Sequence, residues 1–99
     1  MVRPISTRVQ SAAATLGQQL SVWRKLQGLT AQQVAERAGI SRGTLQKVES
    51  GDTGVSFGAA LSVARALGVL DAMVNATDPY ETDLGRARAD EVLPKRVRR

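Results

Sequence analysis

"LTAQQVAERAGISRGTLQKVESG" runs from Leu29 to Gly51 and holds two helical patterns with almost no chain between them. Thr30 is a favourable N-cap, and Gln33 stands three residues on, in capping-box register. Ala31, Val34, Ala35 and Ala38 recur at i, i+3, i+4 and i+7, the stripe of one short helix. Gly39 follows as its stop, where positive φ is cheap only for glycine. Ile40 is apolar within the turn and is expected to tuck into the core. Ser41 then caps a second helix, with Leu45 and Val48 facing inward.

A turn this short fixes the angle between its two helices, the arrangement of a helix-turn-helix. The first helix can cross a phosphate backbone while the second lies in the major groove of DNA. A long loop would let that angle vary and blur the readout of base edges. The outward side of the second helix fits this use, since Ser41, Arg42, Gly43, Thr44, Gln46 and Lys47 are small or polar. Arg42 and Lys47 can reach guanine O6 and N7, and Thr44 a thymine methyl or a phosphate. Gln32, in the first turn of the preceding helix, can reach a phosphate with help from the helix dipole. Gly43 costs roughly 1 kcal/mol of helix propensity relative to Ala. It either lets the backbone approach the groove or marks a frayed helix start.

Outward from this motif the chain reads as helical on both sides. Residues 1–10 carry Arg3, Pro4 and Arg8 with little periodicity and read as a flexible arm; the two arginines are either minor-groove contacts or part of an ordinary terminus. A first helix is expected to begin between Ser6 and Ser11. Leu16, Leu20, Trp23 and Leu26 mark its apolar face, with Trp23 in the core, and Gly28 closes it. Ser50 to Gly54 is a turn cluster. Ser56 caps a fourth helix with Phe57, Ala60, Leu61, Ala64 and Leu67 on one face and Gly68 as its stop. Leu70 to Ala76 reads as a short fifth helix ended by Asp78-Pro79, with Met73 in the core or an interface. Beyond Tyr80 the apolar pattern thins, and "LGRARADEVLPKRVRR" reads as disordered or ordered only by a partner. The expectation is an all-α chain: an arm over 1–10, a five-helix domain over 11–76 with its motif at 30–50, and a basic tail over 77–99.

Composition narrows the function. The 99 residues make one small domain, 42% hydrophobic, with Trp23, Phe57 and Tyr80 its only aromatics. There is no Cys, hence no disulfide or thiolate metal site, and no His, the commonest general base and metal ligand. No carboxylate pair converges, and "SGDTG" lacks the Gly-Lys-Ser/Thr end of a phosphate-cradling loop. The chain is therefore expected not to be an enzyme and to need no cofactor or metal. RNA binding is a weak alternative, because stacking aromatics are scarce. No secretory segment or twenty-residue apolar span is seen, which points to a cytoplasmic protein without a membrane partner. The net charge of +5 favours an anionic partner. Residues 86–99 hold six basic and two acidic groups, a net of +4, whereas residues 1–85 hold eight and seven, a net of +1.

The stretch from Leu29 to Gly51 resembles the Xre, or lambda-repressor-like, family of DNA-binding domains. The resemblance lies in Leu29-Thr30, Val34-Ala35, Ala38-Gly39-Ile40-Ser41, the Leu45/Val48 pair and Glu49-x-Gly51, and extends over roughly residues 14–75. It implies a lambda-repressor-like fold with base contacts from Arg42, Gly43, Thr44 and Lys47. Phosphate contacts are assigned to Gln32, Ser41, Gln46 and Ser50. The sequence departs from the family pattern at Ala31 and Gly43, where a longer polar side chain is common. The resemblance also implies an ion pair between Arg24, late in the first helix, and Glu49, after the recognition helix, with a structural role.

Two functional classes follow. The first is a sequence-specific repressor that binds double-stranded DNA as a homodimer on a palindromic operator, its dimer surface formed by Leu70, Met73 and Val74. The second is a protein-binding module. The basic tail resembles that of HipB-type antitoxins, which implies a HipA-like serine/threonine kinase toxin as partner and Leu84, Arg86, Arg88, Leu93 and Val97 as its contacts. The tail is otherwise a solvated end or a source of non-specific phosphate attraction. The alternative to the antitoxin is a stand-alone or phage-type repressor without a toxin.

Overall fold

In the computed structural model, residues 4–92 are described, and they form six α-helices and no strand. These are α1 (Thr7–Leu26), α2 (Ala31–Ala38), α3 (Arg42–Ser50), α4 (Phe57–Leu67), α5 (Leu70–Ala76) and α6 (Asp83–Val92), with a single 3-10 turn at Pro79–Glu81. The chain is all-α, as its palette of Leu, Val and Ala requires.

Hydroxyl caps start five of the helices. Ser6, Thr30, Ser41, Ser56 and Thr82 each accept a hydrogen bond from the backbone N–H three residues on. Each satisfies a donor that the helix cannot satisfy itself. At Thr30 the capping box is complete, because Gln33 Oε1 accepts from the Thr30 N–H at 2.8 Å. Val34, Ala35 and Ala38 of α2, Leu45 and Val48 of α3, and Val63 and Leu67 of α4 make the core. Ile40 in the α2–α3 turn packs against its edge.

α1 begins at Thr7 with Ser6 as its cap, within the expected range of starts, so residues 7–10 belong to the helix and not to an arm; Arg3 lies outside the described residues. Its packed face is also different. Leu16, Trp23 and Leu26 are 52%, 45% and 72% exposed, whereas Gly17 and Ser21 are buried. The cause is the close approach of α1 to α3. A Cβ on Gly17 would lie 2.5 Å from the Val48 carbonyl oxygen, and one on Gly51 would lie 2.5 Å from Ala14 Cα. Small residues at 14, 17 and 21 admit this contact, and the large apolar side chains are turned to the flanks. Phe57 is likewise 78% exposed at the start of α4, not part of its inner face.

The tail is corrected as well. Residues 83–92 form α6 with no partner chain. Thr82 Oγ1 accepts from the Gly85 N–H at 2.9 Å and donates to the Pro79 carbonyl at 2.7 Å. Arg86 donates to the Tyr80 carbonyl at 2.6 Å and to Asp83 at 2.8 Å. Local bonds thus order a segment with little to bury. Leu93 and Val97 lie outside the described residues.

Candidate nucleic-acid interface

The pose of α3 is built from its turn upward. Gly39 adopts φ 70°, which turns the chain out of α2. The Ile40 N–H donates back to the Ala35 carbonyl at 3.0 Å and the Gly39 N–H to the Glu36 carbonyl at 3.2 Å. These bonds satisfy carbonyls at the end of α2 and seat Ile40 on the core. Ser41 begins α3 at once. Leu45 and Val48 are 1% and 5% exposed and anchor α3 from within, leaving Arg42, Gly43, Gln46 and Lys47 exposed and Thr44 half-buried.

An ion pair fixes the other end of α3. Arg24 Nε donates to Glu49 Oε2 at 2.8 Å and Nη2 to Oε1 at 3.2 Å, a bidentate pair. Nη1 also donates to the Leu29 carbonyl at 3.3 Å. The two side chains are only 16% and 15% exposed. The hydrogen bond to Glu49 raises the Arg24 pKa above its ordinary value, burial lowers it, and the attraction of the carboxylate raises it further. The pair ties the end of α1, the start of the α1–α2 connection and the last turn of α3 together.

The exposed polar groups fall at two helix starts. In α2 the capping box occupies the Thr30 and Gln33 N–H groups, and the Val34 N–H donates to the Thr30 carbonyl, so the Ala31 and Gln32 amides face an outside acceptor. In α3 the Ser41 hydroxyl and carbonyl take the Thr44 and Leu45 amides, which leaves those of Arg42 and Gly43. Between the two starts lies a polar cleft of about 430 Å³ lined by Ala31, Arg42, Gly43, Leu45, Gln46 and Glu49. Ala31 and Gly43 meet in this cleft. A Cβ on Gly43 would touch only Ser41 Oγ, at 3.9 Å, so the fold itself does not require glycine there.

The remaining candidates are placed unevenly. The Gln32 amide donates to Glu36 at 2.9 Å along α2. The Ser41 hydroxyl donates to Thr44 Oγ1 at 3.0 Å. Ser50 donates to the Lys47 carbonyl at 3.1 Å and sits at the C-terminal end of α3, about 12 Å along the helix axis from Arg42. Arg42, Gly43 and Gln46 are therefore brought together with Ala31 at the α2 start, whereas Lys47 is exposed further along α3 and Ser50 lies at its far end. The resemblance placed phosphate anchoring near Ala31 and Gln32, but sequence reasoning did not identify the backbone amides of Ala31, Gln32, Arg42 and Gly43 as the donors left over by the caps. The capping residues at Thr30 and Ser41 were the signal for them, since a cap satisfies only some of the first four N–H groups.

A family profile described as a helix-turn-helix domain matches residues 15–76. The chain belongs to the helix-turn-helix family. The match covers α2 and α3 with the supporting α1, α4 and α5, so this is a DNA-binding helix-turn-helix domain with an additional helix, α6, after it. No curated protein and no solved structure gives a match. No single helix among the described residues is long and apolar enough to cross a membrane.

Proposed function

We propose that this chain is a sequence-specific transcriptional repressor that binds a palindromic operator as a dimer and works in the cytoplasm without catalysis or cofactor. The observation that carries the reading is the presentation of α3, with Leu45 and Val48 buried, Arg42, Gly43, Gln46 and Lys47 exposed, and Arg42, Gly43 and Gln46 sharing a polar cleft with Ala31 at the α2 start. Arg42, Gly43, Thr44 and Lys47 read bases, and Gln32, Ser41, Gln46 and Ser50 hold phosphates. One such domain offers one recognition helix, so a two-fold dimer reads two half-sites about one DNA turn, roughly 34 Å, apart. Leu70 and Met73, half-buried, and Val74, 59% exposed, supply the dimer face.

The test is fluorescence anisotropy on the DNA upstream of the gene, beside a shuffled duplex of equal length, across a salt series. The intact chain and a chain ending at Tyr80 are both titrated. Tighter binding of the upstream DNA by both chains supports the reading. Binding that ignores sequence and collapses on truncation overturns it, because the segment after Tyr80 would then be the DNA contact.

A second reading makes the same repressor the autoregulating antitoxin of a HipA-like serine/threonine kinase. It is favoured by Leu84, Arg86 and Arg88, which are exposed on α6, a helix whose main contact among the described residues is with the 3-10 turn. A kinase gene next to this one, and loss of its inhibition on truncation after Tyr80, are the outcomes this reading expects; a stand-alone repressor shows neither.

A further inference from the structure

Helix α1 carries two stripes. Residues 14, 17, 21 and 24 form the first: Gly17 and Ser21 are buried, Ala14 lies against Gly51, and Arg24 holds Glu49. This stripe fixes α1 to α3. The second stripe is Val9, Ala12, Leu16, Gln19, Trp23 and Leu26, at intervals of 3, 4, 3, 4 and 3 residues. At 3.6 residues per turn it lies about 150° around the helix from the first. All six residues are exposed, Val9 at 52% and Leu26 at 72%. Helix α6 does not cover them: its main contact is the 3-10 turn, where a Cβ on Gly85 would overlap the Pro79 carbonyl.

The period of the second stripe tells what it faces. Alternating steps of three and four are the a and d positions of a coiled coil. A repeat of 3.5 rather than 3.6 residues keeps side chains in line along a second helix wound with the first. The packing of α1 on its own domain does not use this stripe. Residues 7–14 of α1, about two turns, also precede residue 15, where the helix-turn-helix domain begins, and Val9 and Ala12 carry the stripe into them.

Side-chain size selects the partner and its direction. An antiparallel copy of α1 sets each a position against a d position. Val9 then meets Leu26, Ala12 meets Trp23, and Leu16 meets Gln19, each pair twice. The largest side chain thus faces the smallest, as interdigitated layers require. A parallel copy would put Trp23 on Trp23 and Ala12 on Ala12, one layer crowded and one empty. Gln19 is the single polar residue of the stripe and falls in the two central layers, where one polar position fixes register. α1 has no acidic residue, so no salt bridge between helices competes with size in setting that register.

The area agrees with a dimer that also uses α5. The outward half of a helix about 27 Å long and about 11 Å across is about 450 Å², so the α1 pair covers about 900 Å². A specific interface needs about 1,000 Å² or more. Leu16, Gln19 and Trp23 line one gap together with Met73, so the α5 face continues the stripe, and Val74 beside it is 59% exposed. The two surfaces together pass that size.

We infer that α1 pairs antiparallel with α1 of a second copy through Val9, Ala12, Leu16, Gln19, Trp23 and Leu26. This rests on the dimeric reading above and extends its surface from α5 to α1. The contact is isologous, so it closes on two copies.

The chain has no cysteine and a single tryptophan, and both serve the test. Full-length Val9→Cys and Leu26→Cys chains bearing different tags are mixed and oxidised. A disulfide joining the two different chains is expected. A Val9→Cys homodimer in its place would mean parallel helices and would overturn the pairing. On dilution of the wild type, Trp23 emission should shift to the red as the dimer dissociates; emission that ignores a dissociation seen by sedimentation overturns the pairing. Val9→Glu/Leu16→Glu should raise the dimer dissociation constant on the order of 100-fold, about tenfold for each half-exposed apolar side chain no longer buried. Glutamate is a good helix former, and circular dichroism checks that α1 persists. A dimer that this variant leaves unchanged and Val74→Glu weakens refutes the α1 pairing and leaves the dimer on α5 alone. A wild-type chain that is monomeric both free and on DNA refutes the pairing and the dimeric reading together.

Discussion

Arg24 and Glu49 hold the recognition helix in place, and their removal tests that claim most sharply. Replacing Arg24 with Ala deletes two charge-assisted hydrogen bonds to Glu49 and one to the Leu29 carbonyl. It leaves a carboxylate that is 15% exposed without its cation. Removing one partner of a fully buried pair costs about 3–5 kcal/mol, and an exposed pair contributes about 0–1 kcal/mol. At this burial the expected loss is about 2–3 kcal/mol, roughly 10–20 °C in Tm for a domain of this size. Urea denaturation of the wild type, Arg24→Ala, Glu49→Ala and the double variant at pH 7 gives the coupling energy. The expected value is about 1.5–2.5 kcal/mol, because either single change forfeits nearly all of the pair. Arg24 keeps its charge throughout this measurement. Its raised pKa means that its stabilising contribution is fully present below the ordinary arginine value and is lost only as pH rises through the folded one. Operator affinity of the folded Arg24→Ala protein should also fall, since the pair joins the end of α3 to the end of α1. A coupling energy below about 0.5 kcal/mol, in the range of surface pairs, would refute the reasoning and make Arg24 an ordinary exposed cation.

Three further outcomes are expected. Arg42→Ala and Lys47→Ala should each weaken operator binding by about 1–3 kcal/mol if they read bases, and each should flatten the log–log salt dependence by about 0.9 if they meet phosphates, which anisotropy in a salt series separates. Gly43→Ala should raise thermal stability by about 0.5–1 kcal/mol, because its Cβ meets open space, and should reduce operator affinity if the cleft beside Ala31 admits DNA; calorimetry and binding then move in opposite directions. Gly51→Ala should cost about 2–4 kcal/mol in a urea titration, since φ 81° is strained for alanine and its Cβ would press on Ala14.

The DNA-facing part of the fold was legible because its determinants are local. Thr30 with Gln33, Ser41 and the glycines at 39, 51 and 68 act within a few residues of themselves. α2, α3 and, with Ser56 as its cap, α4 accordingly begin and end where those signals lie. The face of α1 was not legible by the same logic. Its hydrophobic stripe and its packed stripe differ, because backbone contact with α3 selects for small size at Gly17 and Ser21, and hydropathy does not register that demand. Trp23 was misplaced for this reason. Helix α6 was missed because its order comes from a corner of hydrogen bonds and a glycine–proline contact, not from an apolar core. Thr82-Asp83, a capping hydroxyl followed by an acid in the first turn, was the signal available for it. Of the site, the side chains of α3 could be read directly, whereas the cleft between Ala31 and Gly43 could not. Those two residues come together only once the α2–α3 angle is set.

The same structure changes what the net charge means. Divided at residue 85, the chain looks like a nearly neutral body with a basic tail. Divided at the end of α4, the first 67 residues carry +5 and the next 18 carry −4. The neutrality of the body is thus a cancellation between two regions. Arg42 and Lys47 belong to the basic one, and Asp71, Asp78 and Glu81 lie on α5 and the turn that follow it. The basic region carries Arg42 and Lys47 of α3, so charge that favours an anionic partner lies on the same stretch of chain as the helix-turn-helix and not in residues 86–99 alone.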